Sequence, residues 1–271
     1  MLKYTNKLHS KRVLVLGGTS GVGYSVAEAA LEYGAEVIIS GSTDAKVERI
    51  LARLRGTAGG QREGAQIAGK ACDLADTASL ETNLEALLKF ATEDGKRKLD
   101  HVVFTAGDAL KLKPLAEMTT DLVGAAMAVR FTGALMLAKL LNLSEDGEGK
   151  YLRRSFESSF TLTGGTNTAK PMPMFTLAAG VGGGIEGLAR GLAVAMKPVR
   201  VNTVALGAVK TEIFGSLPQE NLEATLEGFK KQTLTGTVGR PEDAAEIYLY
   251  IMRDYLVDGT VVSSDGGRLL V

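Results

Sequence analysis

The 271-residue chain has little cysteine and little histidine, and each shortage excludes a class of site. Its single cysteine, Cys72, rules out an intrachain disulfide and any metal site built from several cysteines, and it is typical of a reducing compartment. The two histidines, His9 and His101, stand far apart in the chain, which argues against a histidine-rich catalytic metal centre. We therefore expect no metal in this protein.

The chain also lacks an excess of either charge and lacks long apolar runs. Lysine plus arginine and aspartate plus glutamate number 31 each, so the basic surface that a phosphate-backbone binder needs is missing and nucleic acid is not an expected partner. The first 12 residues have no apolar core like that of a signal peptide, and no apolar run approaches the ~18 residues of a membrane span. We expect a soluble, cytoplasmic protein with no membrane partner.

Glycine is abundant, at 33 residues, and proline is scarce, at six. Without a collagen period, such glycines indicate tight turns and close packing. Short apolar runs alternate with segments of helical spacing, which favours parallel strand pairing. We predict one α/β domain over residues 1–271, a doubly wound (Rossmann) parallel sheet of about seven strands with helices on both faces, and a variable, loop-rich substrate segment at 208–238. The predicted strands are 12–16, 35–40, 65–74, 101–107, 159–165, 199–207 and 260–267.

The sequence GGTSGVG follows the first predicted strand and precedes the first helix. Glycine permits positive φ in such a turn and lets backbone N–H groups approach an anion, while the helix N-terminus offers unpaired donors and a partial positive charge. After the first strand of a βαβ unit, this pattern predicts a diphosphate cradle. The residues that we assign to it are Gly17, Thr19, Ser20, Gly21, Val22 and Gly23.

The end of the second strand indicates which dinucleotide binds. An acidic residue there would hold a ribose 2′-hydroxyl and repel a 2′-phosphate, but this chain has Ser40, Ser42 and Thr43, with Lys46 one turn into the next helix. Hydroxyl groups and a lysine suit a phosphate, so NADP(H) is favoured over NAD(H). The alternative for Lys46 is that it only faces solvent.

Several segments along nearly the whole chain resemble the short-chain dehydrogenase/reductase family. GGTSGVG at 17–23 resembles the family's TGxxxGxG turn, and TAG at 105–107 resembles its NAG motif. VRVNTVALG at 199–207 resembles its IRVNxVxPG strand, with Leu206 in place of proline. GRPED at 239–243 and SSDGG at 263–267 match its C-terminal pattern.

The resemblance implies further cofactor contacts. Asp73 is similar to the acid that meets the adenine amino group, and Thr211 stands where the family meets the nicotinamide carboxamide. The remaining residues that it assigns to the cofactor are Leu74, Ala106, Gly107 and Val209. The family also packs helices between subunits, which implies a homodimer or homotetramer through the helices at 121–143 and 176–197.

The catalytic signature departs from the family. Ordinary members use a Tyr-x-x-x-Lys pair, in which the phenol exchanges a proton with the substrate oxygen and the ammonium lowers the pKa of that phenol. None of the seven tyrosines here is followed four residues later by lysine. In the matching helix the tyrosine position falls at Ala178 and the lysine position at Gly182. The serine position falls at Gly164 or Gly165, and the asparagine position is Arg130.

Four residues are candidates to act in place of the missing ones. Arg130 interrupts an apolar helical stretch, so it either holds a carboxylate, enolate or polarised carbonyl, or forms a structural ion pair with Asp108 or another acid. Asp108 is a candidate proton donor, a counter-ion to a cationic substrate, or only a turn residue. Thr163 and Asn167 follow the fifth strand and can donate hydrogen bonds to a substrate, although both types are ordinary loop residues.

Two functions fit this combination. The first is an NADPH-dependent reductase of a small, bulky apolar molecule with an activated carbonyl, enone or iminium carbon, because an activated electrophile does not need the tyrosine acid. The resemblance adds that some members lacking these residues serve fungal alkaloid and polyketide biosynthesis, including one type that reduces an iminium and shapes a following cycloaddition. The second is a non-redox NADP(H)-binding pseudoenzyme, either a sensor of cofactor occupancy or a binding partner of other proteins, which keeps the fold, the glycine turn and Asp73.

Overall fold

A computed structural model describes residues 3–108, 112–143, 147–212 and 219–271. Seven strands form one sheet in the order β3-β2-β1-β4-β5-β6-β7, and every pair is parallel. The prediction of a doubly wound α/β sheet of about seven strands is thereby confirmed. The strands are β1 Arg12–Leu16, β2 Glu36–Gly41, β3 Ile67–Ala71, β4 His101–Phe104, β5 Ser159–Gly165, β6 Arg200–Leu206 and β7 Val261–Ser264.

Helices cover both faces of the sheet. They are α1 Gly21–Glu32, α2 Asp44–Arg55, α3 Leu80–Thr92, α4 Thr120–Met127, α5 Ala134–Leu141, α6 Thr176–Ala195, α7 Gln219–Lys230 and α8 Pro241–Arg253. A π-helical segment, Ala128–Gly133, joins α4 to α5. Helix α7 lies inside the segment 208–238, so the expectation that this segment is loop-rich was wrong for these 12 residues. Residues 213–218 of that segment lie outside the described residues.

Alternate residues of β1 divide the core into two layers. Leu14 and Leu16 pack with α3, α5 and α6, while Val13 and Val15 pack with α1, α2 and α8. A strand buried on both faces is expected in a parallel sheet covered by helices, and it explains why RVLVL is apolar without alternation.

One helix of the described residues is long and apolar enough, by length and composition alone, to cross a membrane. It runs from Thr120 to Leu141 and has a mean hydropathy of 1.4 in its most apolar window. This finding corrects the expectation that no apolar segment of that length exists. The helix packs Ala134, Leu137 and Leu141 into the core beside the sheet, as a covering layer of the Rossmann fold.

Strand order reverses between β1 and β4, and this reversal determines where a ligand can enter. Leu16, the last residue of β1, lies in register between Ser40 of β2 and Phe104 of β4. The turns that follow β1 and β4 therefore start at the same edge of the sheet. In open α/β sheets a ligand binds in the crevice at this point.

Candidate active site

The glycine turn after β1 packs closely against the turn after β4. Gly17 has a φ of +82°, and a Cβ atom there would lie 2.6 Å from the backbone nitrogen of Ala106. A Cβ atom at Gly23 would overlap the carbonyl oxygen of Gly17 and the hydroxyl of Thr105. The hydroxyl of Thr105 in turn donates to the carbonyl of Leu16 at 2.8 Å. Only glycine fits at positions 17 and 23, and the structure brings Gly17, Gly23 and Ala106 together as the sequence predicts.

The N-terminus of α1 meets the segment after β6. Gly21 has a φ of +49°, and a Cβ atom there would lie 3.1 Å from Cγ2 of Thr211. The carboxylate of Glu212 accepts a hydrogen bond from the backbone N–H of Gly21 at 2.9 Å. Sequence reasoning placed Gly21 and Thr211 in one site but missed Glu212, because an exposed glutamate in a loop carries no local signal.

The other residues assigned to the glycine turn differ in exposure. Ser20 is exposed at the N-cap of α1, and its side chain makes no capping hydrogen bond. Thr19 is buried and lies against Gly41, where an added Cβ atom would meet its side chain. Val22, in the first turn of α1, is half-buried and packs against the core. The hydroxyl of Ser20 is therefore the side-chain group of this turn that is open to a ligand.

The three hydroxyl residues predicted to bind the cofactor at the end of β2 differ in burial and in their hydrogen bonds. Ser40 is only 2% exposed, and its backbone carbonyl accepts from the N–H groups of Gly17 and Gly18. Thr43 caps α2 by accepting from the backbone N–H of Lys46 at 3.4 Å. Ser42 is exposed, and its hydroxyl accepts from Nζ of Lys46 at 3.1 Å. Ser42 and Lys46 are therefore the pair that faces outward at this position.

The predicted adenine contact lies at the end of β3. Asp73 is exposed, and one of its carboxylate oxygens accepts from the backbone N–H of Ala75 at 3.0 Å. The side chain of Leu74 points into the core instead, so Leu74 can serve a ligand only through its backbone. Val209 is half-buried and forms an isolated parallel bridge with Gly239.

A cavity of about 220 Å³ lies among the carboxyl end of β5, the π-helical segment and α6. All four candidate catalytic residues, Asp108, Arg130, Thr163 and Asn167, line this cavity. The rest of its wall is dominated by small and apolar side chains: Ala125, Ala126, Val129, Leu177, Val181, Ile185 and Leu206. Residues 171–175 do not line it, and its wall resumes at Leu177 of α6.

Arg130 lies in the π-helical segment with its guanidinium against Gly107. A Cβ atom at Gly107 would overlap the guanidinium carbon and both terminal nitrogens. One terminal nitrogen donates to the backbone carbonyl of Asp108 at 2.7 Å. No carboxylate of the described residues lies within 4 Å of it, so the ion-pair alternative with the Asp108 side chain is not what the structure contains. Burial lowers the pKa of Arg130, and the charge of Asp108 opposes that shift.

Thr163 contributes to the cavity, but its hydroxyl is already engaged. It lies 2.7 Å from the hydroxyl of Tyr248 on α8. Tyr248 is fully buried, and this burial raises the pKa of its phenol, against a smaller opposing effect of the bond to Thr163. The phenol therefore stays protonated at neutral pH.

The residues that the family resemblance aligns with its catalytic tyrosine, lysine and serine also line the cavity. Ala178, Gly182 and Gly164 all belong to its wall. A Cβ atom at Gly182 would overlap the hydroxyl of Thr168. Part of the space of the missing lysine is therefore filled by Thr168, a residue that sequence reasoning did not single out.

Arg268 is a second residue that the sequence did not reveal. It is 3% exposed and donates to the hydroxyl of Thr166 at 3.2 Å, the side-chain oxygen of Asn167 at 3.1 Å and the carbonyl of Lys170 at 2.8 Å. Lys170 is half-buried and donates to the carbonyl of Arg268 at 3.2 Å. The loop after β5 is thus tied to the C-terminal end of the described chain.

Among the described residues, no group of three or more histidine, cysteine, aspartate or glutamate side chains is arranged to hold a metal ion. Cys72 is buried, and burial raises the pKa of its thiol to about 11.

Comparison with known proteins gives one consistent result. The model of the SDR-like Rossmann domain matches residues 4–271. The short-chain dehydrogenase/reductase MalC of Malbranchea aurantiaca is 42% identical over 97% of this chain and 96% of its own length. The short-chain dehydrogenase/reductase UcsE of an Acremonium species is 40% identical over 98% of this chain and 97% of its own.

Solved structures agree with these sequence matches. The structure of the MalC reductase/Diels-Alderase superposes with a TM-score of 0.91, at 41% identity, and covers 99% of this chain and 100% of that one. A short-chain dehydrogenase from Burkholderia cenocepacia in complex with NADP has a TM-score of 0.80 at 21% identity, over 97% of this chain and 99% of that one, which supports the fold alone.

Proposed function

Because the chain belongs to the short-chain dehydrogenase/reductase family, a family of oxidoreductases, we propose that it is an NADPH-dependent reductase with an atypical active site. The proposed reaction is hydride transfer to an activated carbonyl, enone or iminium carbon of a small, bulky and apolar substrate. The observation that carries the proposal is the cavity that holds Arg130 together with the empty tyrosine and lysine positions, Ala178 and Gly182.

The residues present fit a dinucleotide with a 2′-phosphate. Glycine at positions 17 and 23 lets the turn after β1 pack against Ala106 and Thr105, and the exposed Ser20 hydroxyl lies at the N-terminus of α1. Ser42 and Lys46 offer a hydroxyl and an ammonium group where an acidic residue would select NAD(H). A related dehydrogenase of 25% identity, with a TM-score of 0.72, was crystallised with NADPH. When bound, the cofactor supplies the hydride.

The chain's own groups restrict which substrates can react. Hydride addition to a simple ketone requires a proton for the new alkoxide, and the tyrosine that gives it in the family is replaced by Ala178. Arg130 cannot shuttle protons at neutral pH, because a guanidinium remains charged, but it can hold an oxygen on which negative charge develops. An electrophile that is already activated does not need the missing acid. The alanine- and leucine-rich wall suits an apolar body.

The similarity to a reductase/Diels-Alderase supports a role in fungal secondary metabolism. The fold is that of a soluble Rossmann protein, and we propose a cytoplasmic location.

We also propose a homodimer or homotetramer through the helices at 121–143 and 176–197. Val123 and Val194 are exposed on these helices, and Gly180, Gly187 and Gly191 of α6 have no neighbouring atom within 4 Å at their added Cβ position.

The test is NADPH consumption by the purified protein with a cyclic iminium, an activated diketone and a simple ketone, with cofactor affinity measured in parallel. We expect turnover of activated substrates only. Arg130→Gln is expected to lower that turnover by about a hundredfold while NADPH affinity is unchanged. Arg49→Gln, on an exposed position of α2, serves as the matched control. Tight NADPH binding without any turnover would instead support the non-redox sensor.

A further inference from the structure

Arg268 contacts Asn167 in the wall of the cavity, although the two residues lie 101 positions apart along the chain. Its guanidinium is buried, and no carboxylate of the described residues lies within 4 Å of it. Burial lowers the pKa of Arg268, and the nearby charge of Asp265 opposes the shift. A buried arginine without an ion-pair partner is costly unless its hydrogen bonds are satisfied, and Arg268 satisfies them on the loop after β5.

The bond to Asn167 determines the orientation of that side chain. A guanidinium carries only donors, so the atom of Asn167 that faces Arg268 must be the amide oxygen. The opposite orientation would place two donors against each other. The amide N–H groups of Asn167 have no partner among the described residues, and Asn167 lines the cavity.

We infer that Arg268 is a positioning residue, which holds Asn167 so that its amide donates to an oxygen of the substrate. This inference rests on the proposed reductase function. Asn167 and the guanidinium of Arg130 then provide two separate donors in one cavity. Such an arrangement stabilises a developing oxyanion and repels a cationic nitrogen. The substrate class that it fits is a conjugated enone or an activated ketone, and an isolated iminium fits it less well.

The reaction balances without an acid in the protein. Hydride from NADPH adds to the β-carbon of the enone and leaves NADP⁺. The electron pair of the C=C bond moves towards oxygen, which gives an enolate held by Asn167 and Arg130. Solvent water then protonates the α-carbon, and the resulting hydroxide is neutralised by the buffer.

The decisive variant is Asn167→Asp, which keeps the shape of the side chain and offers Arg268 a carboxylate to pair with. We expect the melting temperature to be unchanged or higher, because an ion pair replaces a neutral hydrogen bond. We expect kcat for an enone to fall roughly a hundredfold, because the donor is lost. Asn142→Asp is the matched control, since the amide oxygen of Asn142 also accepts from an arginine, Arg154, at 2.9 Å, outside the cavity.

Two Arg268 variants separate positioning from folding. Arg268→Leu is expected to lower kcat of the folded protein with little change in KM for NADPH, and Arg268→Lys is expected to restore part of kcat. A change in melting temperature with kcat unaltered would mean that Arg268 is only structural. Unchanged kcat in Asn167→Asp would equally overturn the inference.

A binding measurement keeps the test independent of turnover. Cyclohexanecarboxylate, an apolar ring with one anionic group, is titrated by calorimetry into the NADP⁺-saturated protein. We expect its affinity to fall about tenfold or more in Asn167→Asp and to be unchanged in Asn142→Asp. If the wild type binds this probe through Asn167 but reduces no substrate, the reductase proposal fails while the donor role of Asn167 stands. Equal affinity in both variants and the wild type would overturn the donor role.

Discussion

The carboxylate of Glu212 accepts a hydrogen bond from the backbone N–H of Gly21 at 2.9 Å, at the N-terminus of α1. An acidic side chain therefore uses one of the donors that the sequence assigns to the cofactor diphosphate. A carboxylate is stabilised at a helix N-terminus, and a diphosphate at the same place would meet its negative charge.

We expect Glu212→Gln to bind NADPH roughly three- to tenfold more tightly, because the diphosphate no longer competes with a carboxylate. The measurement is the dissociation constant from nicotinamide fluorescence. Glu246→Gln, on an exposed position of α8, removes the same charge elsewhere and should leave the constant unchanged. Weaker binding of NADPH to Glu212→Gln would mean that the carboxylate of Glu212 contributes to cofactor binding.

Ser42 and Lys46 are predicted to select the 2′-phosphate. Ser42→Asp places a negative charge beside Lys46 and should weaken the binding of NADPH by about tenfold or more, with a much smaller effect on the binding of NADH. Ala52→Asp, further along the exposed face of α2, is the control. Equal losses for both cofactors would contradict the assignment of this position to the phosphate.

Thr168 and Gly182 set a limit on restoring the family's lysine. Gly182→Ala should lower the free energy of unfolding by about 1–3 kcal/mol, because its Cβ atom would overlap the Thr168 hydroxyl. Gly228→Ala in α7 meets no neighbouring atom within 4 Å and should be neutral or stabilising by up to about 1 kcal/mol. The double variant Thr168→Ala/Gly182→Ala should recover the lost free energy of unfolding, which denaturant titration measures. No difference between the two single variants would show that Thr168 moves aside freely.

His101 should make the protein less stable as the pH falls. It is 1% exposed, and burial lowers its pKa to about 3, so the folded state keeps it neutral where the unfolded state, with a pKa near 6.5, binds a proton. Stability from this group is present above pH 6.5 and decreases below it. The loss between pH 7 and pH 5 is roughly 2 kcal/mol. Urea unfolding at pH 7 and at pH 5 gives the free energy of unfolding at each pH. The difference between the two values should be smaller in His101→Asn than in the wild type or in His9→Asn.

The open glycines of α6 test the proposed oligomer. Gly187→Glu should convert a dimer or tetramer into smaller species, because it would place a charged side chain in the proposed helix contact between subunits. Gly228→Glu, on α7, also meets no neighbouring atom and is the matched control. Light scattering gives the mass. A wild type that is already monomeric would refute the proposal directly.

The sequence by itself determined the parallel sheet, and it predicts an atypical site. The four apolar residues of RVLVL, followed by glycines, predict a buried strand and a phosphate turn, because strand burial and glycine φ angles are local properties. The absence of any Tyr-x-x-x-Lys spacing is likewise visible without a structure. The cavity then brings Arg130, Asp108, Thr163 and Asn167 together, as their positions after neighbouring elements suggested.

Only the tertiary structure decided which groups meet. Arg268 reaches Asn167 across 101 residues of chain, and Glu212 reaches Gly21 across 191. Helical and strand periodicity describe which face of an element is apolar, but they do not specify which loop ends lie side by side. Those contacts depend on the packing of the loop after β5 against the C-terminal end, and of the segment after β6 against α1. Periodicity therefore predicts the strands and helices of the sheet, and packing between distant segments decides which side chains meet in the cavity.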